Sequence, residues 1–273
     1  MAQDEVDAGR GHSTNLVGVP TGLLVSAAFN EFPVPLRIAG VREMYSSMFE
    51  MLSRAEDPSE AGDVFQDYMC VIFGLDPEQR EKTAEGKRRR FRSSYLRLIK
   101  GWGYDTNSPE GAVLKGWVES RFGLFPTFHK EPIRRFGSPP WIGYIEEKMS
   151  SRFHNNAIHT QLDLLYEFCQ FALARFHSVG RRHLTLYRGV NDFEEHLLVE
   201  RVDKRVVVVR VNSLVSFSSD RTIAEQFGDY ILEARVPVCK VLFFNQLLPT
   251  APLKGEAEYM VIGGDYRVTT SYY

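Results

Sequence analysis

The sequence predicts an α+β fold in which a helical N-terminal part precedes a smaller β-rich C-terminal part. Two observations support this class. Apolar residues recur at helical spacing between residues 41 and 176, and short runs of β-branched and aromatic residues dominate after Gly180. The chain has 273 residues, of which 44% are hydrophobic, which is enough for one large core or two modest ones. We therefore predict a mainly helical region over residues 1–180 and a β-rich region over residues 181–273, with one compact unit of both as the alternative.

The helical prediction rests on four groups of apolar residues that recur three or four positions apart. Segments that break helices, at Pro58, Pro77, Pro109 and Pro139, lie between these groups. The groups are Val41, Met44, Tyr45, Met48, Phe49 and Leu52; Val64, Phe65, Tyr68, Met69 and Ile72; Tyr95, Leu98, Ile99 and Trp102; and Leu162, Leu165, Cys169, Ala172 and Phe176.

Six short segments after Gly180 are predicted to be strands because they carry the residues that suit a pleated surface. They are residues 184–188, 206–211, 230–236, 240–244, 256–262 and 266–270. One helix is predicted among them, over residues 222–227, with Asp220 or Ser219 as its N-cap.

The charge and the first residues of the chain narrow the class of protein. The formal net charge of -2 lacks the basic excess that nucleic-acid-binding proteins show. The polar, acidic N-terminus does not resemble a secretory signal, and no apolar run approaches the ~18 residues that span a bilayer. We therefore expect a cytoplasmic protein without nucleic-acid binding or stable membrane insertion. The basic run at residues 87–92 is interpreted as a solvated loop, with a docking patch for an acidic protein surface as the alternative.

The cysteines and histidines do not indicate a metal site. The cysteines are odd in number and lack metal-ligand spacing, so we predict buried thiols in a reducing cytosol. They are Cys70, Cys169 and Cys239. For His12, His154 and His159, which have no recognisable set of metal-binding partners, capping or hydrogen bonding in the core is the favoured interpretation.

Three motifs of the C-terminal region are candidates for a functional site. In chain order they are Arg188-Gly189, Ser216-Phe217-Ser218 and Glu256-Ala257-Glu258. Each alone has a common structural interpretation: a turn with a salt-bridged arginine, a loop that caps a helix, and a solvent-facing strand edge. If the two glutamates lie in an extended segment, however, they share one face and repel each other unless a cation lies between them. The three motifs in this order therefore indicate a site.

This order of motifs resembles the arginine–serine–glutamate class of ADP-ribosyltransferases, which includes cholera-toxin-like and vertebrate arginine-specific enzymes. Phe217 departs from the threonine that is usual in the class, at a position that does not anchor the catalytic glutamate. The resemblance implies two small packed sheets with a cleft for NAD between them. NAD would be a consumed substrate, which agrees with the lack of a Gly-x-Gly-x-x-Gly fingerprint in the sequence.

Further segments extend the likeness over nearly the whole chain, to the family of dinitrogenase reductase ADP-ribosyltransferases. They are residues 11–18, 64–70, 111–124 and 148–156. This resemblance implies transfer of ADP-ribose from NAD to an arginine of the nitrogenase iron protein, which inactivates that protein, releases nicotinamide and regulates nitrogen fixation. It also implies that residues 1–180 recognise the partner and take part in regulation, with a PII-type nitrogen signal protein as a second partner.

The resemblance assigns a role to each motif residue. Glu258 would bind the 2′-OH of the nicotinamide ribose and stabilise the cationic sugar, with Ser216 bracing it. Glu256 would pair with the acceptor guanidinium and help to deprotonate it. Arg188 would hold NAD through phosphate or ribose oxygens, and Gly189 would let the backbone approach the nicotinamide amide.

Two further NAD-binding candidates carry weaker signals. Ser218 completes the serine motif. Phe227 would stack near nicotinamide, although its position three residues after Ala224 in a predicted helix also fits a core residue.

Three alternative functions remain, of which two keep the NAD chemistry with a different acceptor and one keeps only NAD binding. The same chemistry could act on an arginine of another protein, as in a toxin-like transferase, or use water as the acceptor, as in an NAD glycohydrolase. An alternative from a different class is a catalytically silent module that senses NAD. The pair of glutamates argues against the silent module, because a protein without catalysis has no reason to hold two repelling acids together.

Overall fold

The α+β prediction is confirmed by the computed structural model, which describes residues 11–75, 94–191, 197–249 and 257–272. Helices dominate the described chain before residue 180, and one antiparallel six-stranded sheet dominates it afterwards. None of the helices among these residues is both long and apolar enough to cross a membrane.

The helices of the N-terminal part begin and end at local signals. Asp57, Ser94, Ser108 and Asn155 are N-caps whose side chains accept backbone N–H groups. The predicted breakers within the described residues are the first residues of helices, since proline suits the first turn. The helices are α1 Thr21–Leu24, α2 Ala27–Glu31, α3 Val41–Met44, α4 Ser46–Arg54, α5 Pro58–Phe73, α6 Tyr95–Tyr104, α7 Pro109–Phe122, α8 Pro139–Ser150 and α9 Asn156–Ala172.

Two of the four apolar groups do not lie on one regular α-helix. The first group lies on both α3 and α4, which meet at Tyr45, where the backbone leaves the helical region. The last group ends in a π-helical turn over Leu173–His177, which contains Phe176. Pro77 lies outside the described residues. A small hairpin that the sequence did not predict, β1 Phe128–His129 and β2 Glu131–Pro132, follows α7.

The strands of the C-terminal part are β3 His183–Val190, β4 Leu197–Arg201, β5 Val206–Ser218, β6 Tyr230–Pro237, β7 Val241–Phe244 and β8 Glu258–Tyr272. They form one sheet in the order β4-β5-β3-β6-β8-β7, with a further pairing between β5 and β8. One helical turn, α10 Arg221–Ala224, lies between β5 and β6 and continues into a 3-10 turn at Glu225–Phe227, and Asp220 is its N-cap.

The observed strands correct the prediction in three places. The strand predicted at 206–211 continues to Ser218, and the segments predicted at 256–262 and 266–270 form the single strand β8. Strand β4 was not predicted, and all five of its residues are exposed. The helix predicted over 222–227 is only one α-helical turn followed by a 3-10 turn.

Strands β5 and β8 divide the sheet into two sections. The first residues of β5 pair with the end of β8, and its last residues pair with the beginning of β8. Between these sections the register shifts at Val211 and Leu214, opposite Gly263. A Cβ atom at Gly263 would lie 1.8 Å from the carbonyl oxygen of Asn212, so this close approach requires glycine. The two sheets that the resemblance implied are thus two sections of one hydrogen-bonded sheet.

The helical part packs directly against the sheet. Helix α9 donates hydrogen bonds from Tyr166 Oη to the Cys239 carbonyl and from Gln170 Nε2 to the Val241 carbonyl, both at 2.8 Å. Buried apolar residues from both parts form one continuous cluster, in which Cys169 and Cys239 lie as predicted. Cys70 is only half-buried, and all three cysteines are free thiols. The boundary at residue 180 stays a prediction, and the apolar core crosses it.

Candidate active site

A cleft of about 420 Å³ opens where α6 meets the ends of β3, β5 and the beginning of β8. Its volume lies within the range of about 300–1,000 Å³ that is typical of small-molecule sites. Six of the seven predicted site residues line it. The complete lining is Trp102, Gly103, Thr106, Tyr187, Arg188, Gly189, Val190, Asn191, Ser216, Phe217, Ser218, Ala224, Phe227 and Glu258.

Strand pairing brings Glu258 beside the serine motif. Glu258 is the first residue of β8 and pairs with Ser218, while Ser216 pairs two positions further along. Paired residues on adjacent strands share a face, so the carboxylate and both serine side chains point the same way. Ala257 precedes Glu258 with a φ of 45°, and its carbonyl accepts the backbone N–H of Ser219. The chain enters β8 directly after this residue.

Glu258 is held by a chain of hydrogen bonds that begins in the helical part. The indole Nε1 of Trp102 donates to Ser216 Oγ at 2.9 Å. The Ser216 hydroxyl donates to Glu258 Oε1. Trp102 is 1% exposed and Glu258 is 7% exposed, whereas Ser216 between them is half-buried. The arrangement supports the predicted bracing of Glu258 by Ser216 and adds Trp102, whose helical spacing predicts only burial in the core.

Arg188 places a permanent positive charge on the opposite side of Ser216. Its Nη1 donates to the backbone carbonyl of Ser216 at 2.9 Å, and its side chain is half-buried on the cleft wall. A planar guanidinium fixed in this way suits the oxygens of a phosphate. Arg188 on β3 and Glu258 on β8 therefore place a cation and a carboxylate in the cleft, on either side of β5.

Gly189 is required for a reason that the sequence did not reveal. A Cβ atom there would lie 2.0 Å from the carbonyl oxygen of Ala224, and one at Gly228 would lie 2.3 Å from the backbone of Val190. The turn after α10 therefore packs directly on the end of β3. This packing gives Gly189 a structural role beside the predicted approach to nicotinamide, which stays a prediction.

The same turn determines the position of Phe227. Its side chain is 59% exposed and lines the cleft, whereas Ala224 is buried. The interpretation of Phe227 as a core residue is therefore wrong. Ser218 is buried, and its Oγ accepts the backbone N–H of Asp220 at 3.0 Å, which fixes the entry into α10.

Two predicted features lie outside the described residues: Glu256 and the basic run at 87–92. The three histidines do not line the cleft. His12 contacts Glu119 at 3.4 Å, and the rings of His154 and His159 lie edge to face, 5.7 Å apart. Over the part of the chain that the structure describes, no group of three or more His, Cys, Asp and Glu side chains could hold a metal ion.

The cleft brings together Arg188, Ser216 and Glu258, the three residues on which the resemblance to the arginine–serine–glutamate class of ADP-ribosyltransferases rests. The family model described as dinitrogenase reductase ADP-ribosyltransferase (DRAT) matches residues 14–270, and the chain belongs to this family. A curated relative from Rhodospirillum rubrum, named NAD(+)--dinitrogen-reductase ADP-D-ribosyltransferase, is 66% identical over 266 residues, covering 97% of this chain and 96% of the relative. No solved structure matches the chain significantly.

Proposed function

We propose that this protein transfers ADP-ribose from NAD to an arginine side chain of dinitrogenase reductase, the nitrogenase iron protein, and releases nicotinamide. The modification would inactivate the iron protein and so regulate nitrogen fixation. The observation that carries this proposal is the buried Glu258 carboxylate, which Ser216 holds at the cleft. Membership of the family and the name of the R. rubrum relative supply the acceptor.

The reaction needs a fixed negative charge beside the ribose. The bond between ribose C1′ and the nicotinamide nitrogen breaks, and its electron pair neutralises the pyridinium of the leaving nicotinamide. Positive charge then develops on the sugar, as in an oxocarbenium ion. Glu258 suits this step because it is a carboxylate already oriented and shielded from solvent, where a charge acts more strongly than in water.

The other cleft residues would bind NAD. Arg188 would hold a phosphate or the adjoining ribose through its guanidinium. Phe227 offers an exposed aromatic ring at the cleft, on which nicotinamide could stack. Ser218 and Gly189 would contribute through their positions on the cleft wall.

The acceptor arginine would meet Glu256, two residues before the catalytic carboxylate. A guanidinium is a poor nucleophile because its pKa lies above about 12. A second carboxylate can orient it by a bidentate pair and accept the proton that is lost when its nitrogen bonds to C1′. Residues 1–180 would recognise the iron protein and a PII-type signal protein. The reaction would take place in the cytoplasm.

The test uses the purified protein, labelled NAD and purified nitrogenase iron protein, followed by intact-mass and peptide analysis. The proposal predicts one ADP-ribose on an arginine of the iron protein and one nicotinamide released for each transfer. NAD consumption without labelled iron protein would indicate a different acceptor or water. No NAD consumption, even with a PII-type protein added, would indicate a silent NAD-sensing module.

A further inference from the structure

We infer that Trp102 is a positioning residue for the reaction: its indole N–H orients the Ser216 hydroxyl, which holds the Glu258 carboxylate. The inference rests on the proposed function, because it takes Glu258 as the catalytic carboxylate. It assigns part of the active site to α6, which lies in the helical part of the chain.

The chemistry of the three groups gives the hydrogen-bond chain one direction. An indole N–H can only donate a hydrogen bond, and an ionised carboxylate can only accept one. The Ser216 hydroxyl has a single proton, and Trp102 already occupies one of its acceptor positions. The proton therefore points to Glu258, and donation to a hydroxyl oxygen makes that hydroxyl a better donor. Such a donor favours the charged form of the carboxylate, which the proposed mechanism requires.

One further contact holds the indole, and two more fix the elements around it. The buried ammonium of Lys115 lies 6.0 Å from the centroid of the Trp102 ring, within cation–π range. Lys115 also donates to the carbonyl of Phe128 at 3.0 Å, which ties α7 to the hairpin beyond it. At the other end of α6, the Tyr95 backbone N–H donates to Gln161 Oε1 of α9 at 2.9 Å. The helix therefore presents the indole N–H in a fixed direction.

A positioning role predicts a particular pattern of kinetic effects. The Trp102→Phe variant removes the N–H donor and keeps an aromatic ring. We expect a kcat for nicotinamide release that is roughly 2- to 10-fold lower, from the usual net strength of a hydrogen bond between two neutral groups. The KM for NAD should stay within about two-fold, because an interaction made mainly in the transition state changes kcat and not substrate binding.

The decisive test is a double-mutant cycle between Trp102→Phe and Ser216→Ala. If Trp102 acts through Ser216, the double variant is no slower than Ser216→Ala alone. Tyr104→Phe is the matched control, since Tyr104 lies two residues away on the same helix, is 81% exposed and does not line the cleft. Its kcat should equal that of the wild type.

Two outcomes overturn the inference alone. Both require an active wild-type protein. The first is an unchanged kcat in Trp102→Phe, and the second is a double variant whose fold-loss in kcat equals the product of the losses in the two single variants. A wild-type protein that neither modifies the iron protein nor releases nicotinamide overturns the proposed function, and the inference with it. Should Trp102→Phe fail to fold by thermal melting, 3-benzothienylalanine at position 102 keeps the size of the indole and removes only the N–H, and the same kcat criterion applies.

Discussion

Replacing Glu258 with glutamine removes one negative charge from the cleft with almost no change in shape. The amide oxygen can still accept the Ser216 hydroxyl, so the hydrogen-bond chain from Trp102 keeps its direction. What disappears is the charge opposite the developing cation on the ribose. Removing one preorganised electrostatic stabiliser costs about 10²–10³ in rate, or about 2.7–4 kcal/mol of transition-state stabilisation. Since Glu258 is only 7% exposed, water cannot replace the lost charge, and we expect the upper end of this range or beyond.

The fold should tolerate the same substitution. A buried carboxylate carries a desolvation cost that the neutral amide avoids, so the free energy of unfolding should change by roughly 1 kcal/mol or less. Nicotinamide release and ADP-ribose transfer are measured with urea unfolding on the same samples. Glu200→Gln, on the exposed strand β4, is the matched control and should keep full activity. Activity of Glu258→Gln within a few-fold of the wild type would refute the assignment of the catalytic carboxylate.

Three further predictions test the acceptor site and the stability of the fold. Glu256→Gln should lose transfer to arginine but keep part of the NAD hydrolysis, since an amide cannot take the guanidinium proton; equal loss of both activities would contradict this role. In the wild type, Arg210 Nε donates to Asp265 Oδ1 at 2.7 Å. Asp265→Asn should lower the free energy of unfolding in urea by about 3–5 kcal/mol, because it leaves the buried guanidinium of Arg210 without its counter-charge. Glu31→Gln breaks the exposed ion pair between Glu31 and Arg267, whose atoms lie 3.2 Å apart, and should lower the free energy of unfolding by roughly 1 kcal/mol or less. Equal effects of the two substitutions would contradict the importance of burial for the Asp265 pair. Burial, helped by nearby cations, lowers the pKa of His159 from 6.5 to about 4, so the unfolded chain takes up a proton over this pH window and the folded chain does not. Stability should therefore fall as the pH drops from 6.5 to about 4, and less steeply in His159→Asn; parallel curves would show that His159 is not responsible.

The parts of the site that could be predicted are those encoded in local motifs. The serine motif lies at the end of one β-rich run, and the glutamate lies at the start of a later one, so their meeting needs only that β5 and β8 pair. The length of β5 could not be predicted, because Asn212 and Ser213 interrupt its apolar run. In the structure Asn212 binds the backbone of Thr127 and Phe128, at 3.0 and 2.8 Å, and these bonds compensate for the polar interruption.

Trp102 could not be assigned from sequence for a different reason. Its spacing from Leu98 and Ile99 marks the buried face of a helix, and the structure confirms that burial. A buried tryptophan usually has a hydrogen-bond partner for its N–H, so the sequence carries a general expectation of a polar contact. The identity of that partner depends on how α6 packs against β5, which is a tertiary relation between residues 114 positions apart.

The coupling between Trp102 and Ser216 makes the geometry of Glu258 sensitive to the helical part of the chain. A hydrogen bond of 2.9 Å is lost when its atoms move to roughly 3.6 Å apart, which is well under one ångström of displacement. Helix α6 meets β5 in the same buried core that continues across residue 180, so the two parts cannot shift independently without breaking this bond. Any force that moves α6 against β5 would therefore release the Ser216 proton from its fixed direction and leave Glu258 less well oriented. Through Trp102, the helical part would thus contribute to the geometry of the catalytic site.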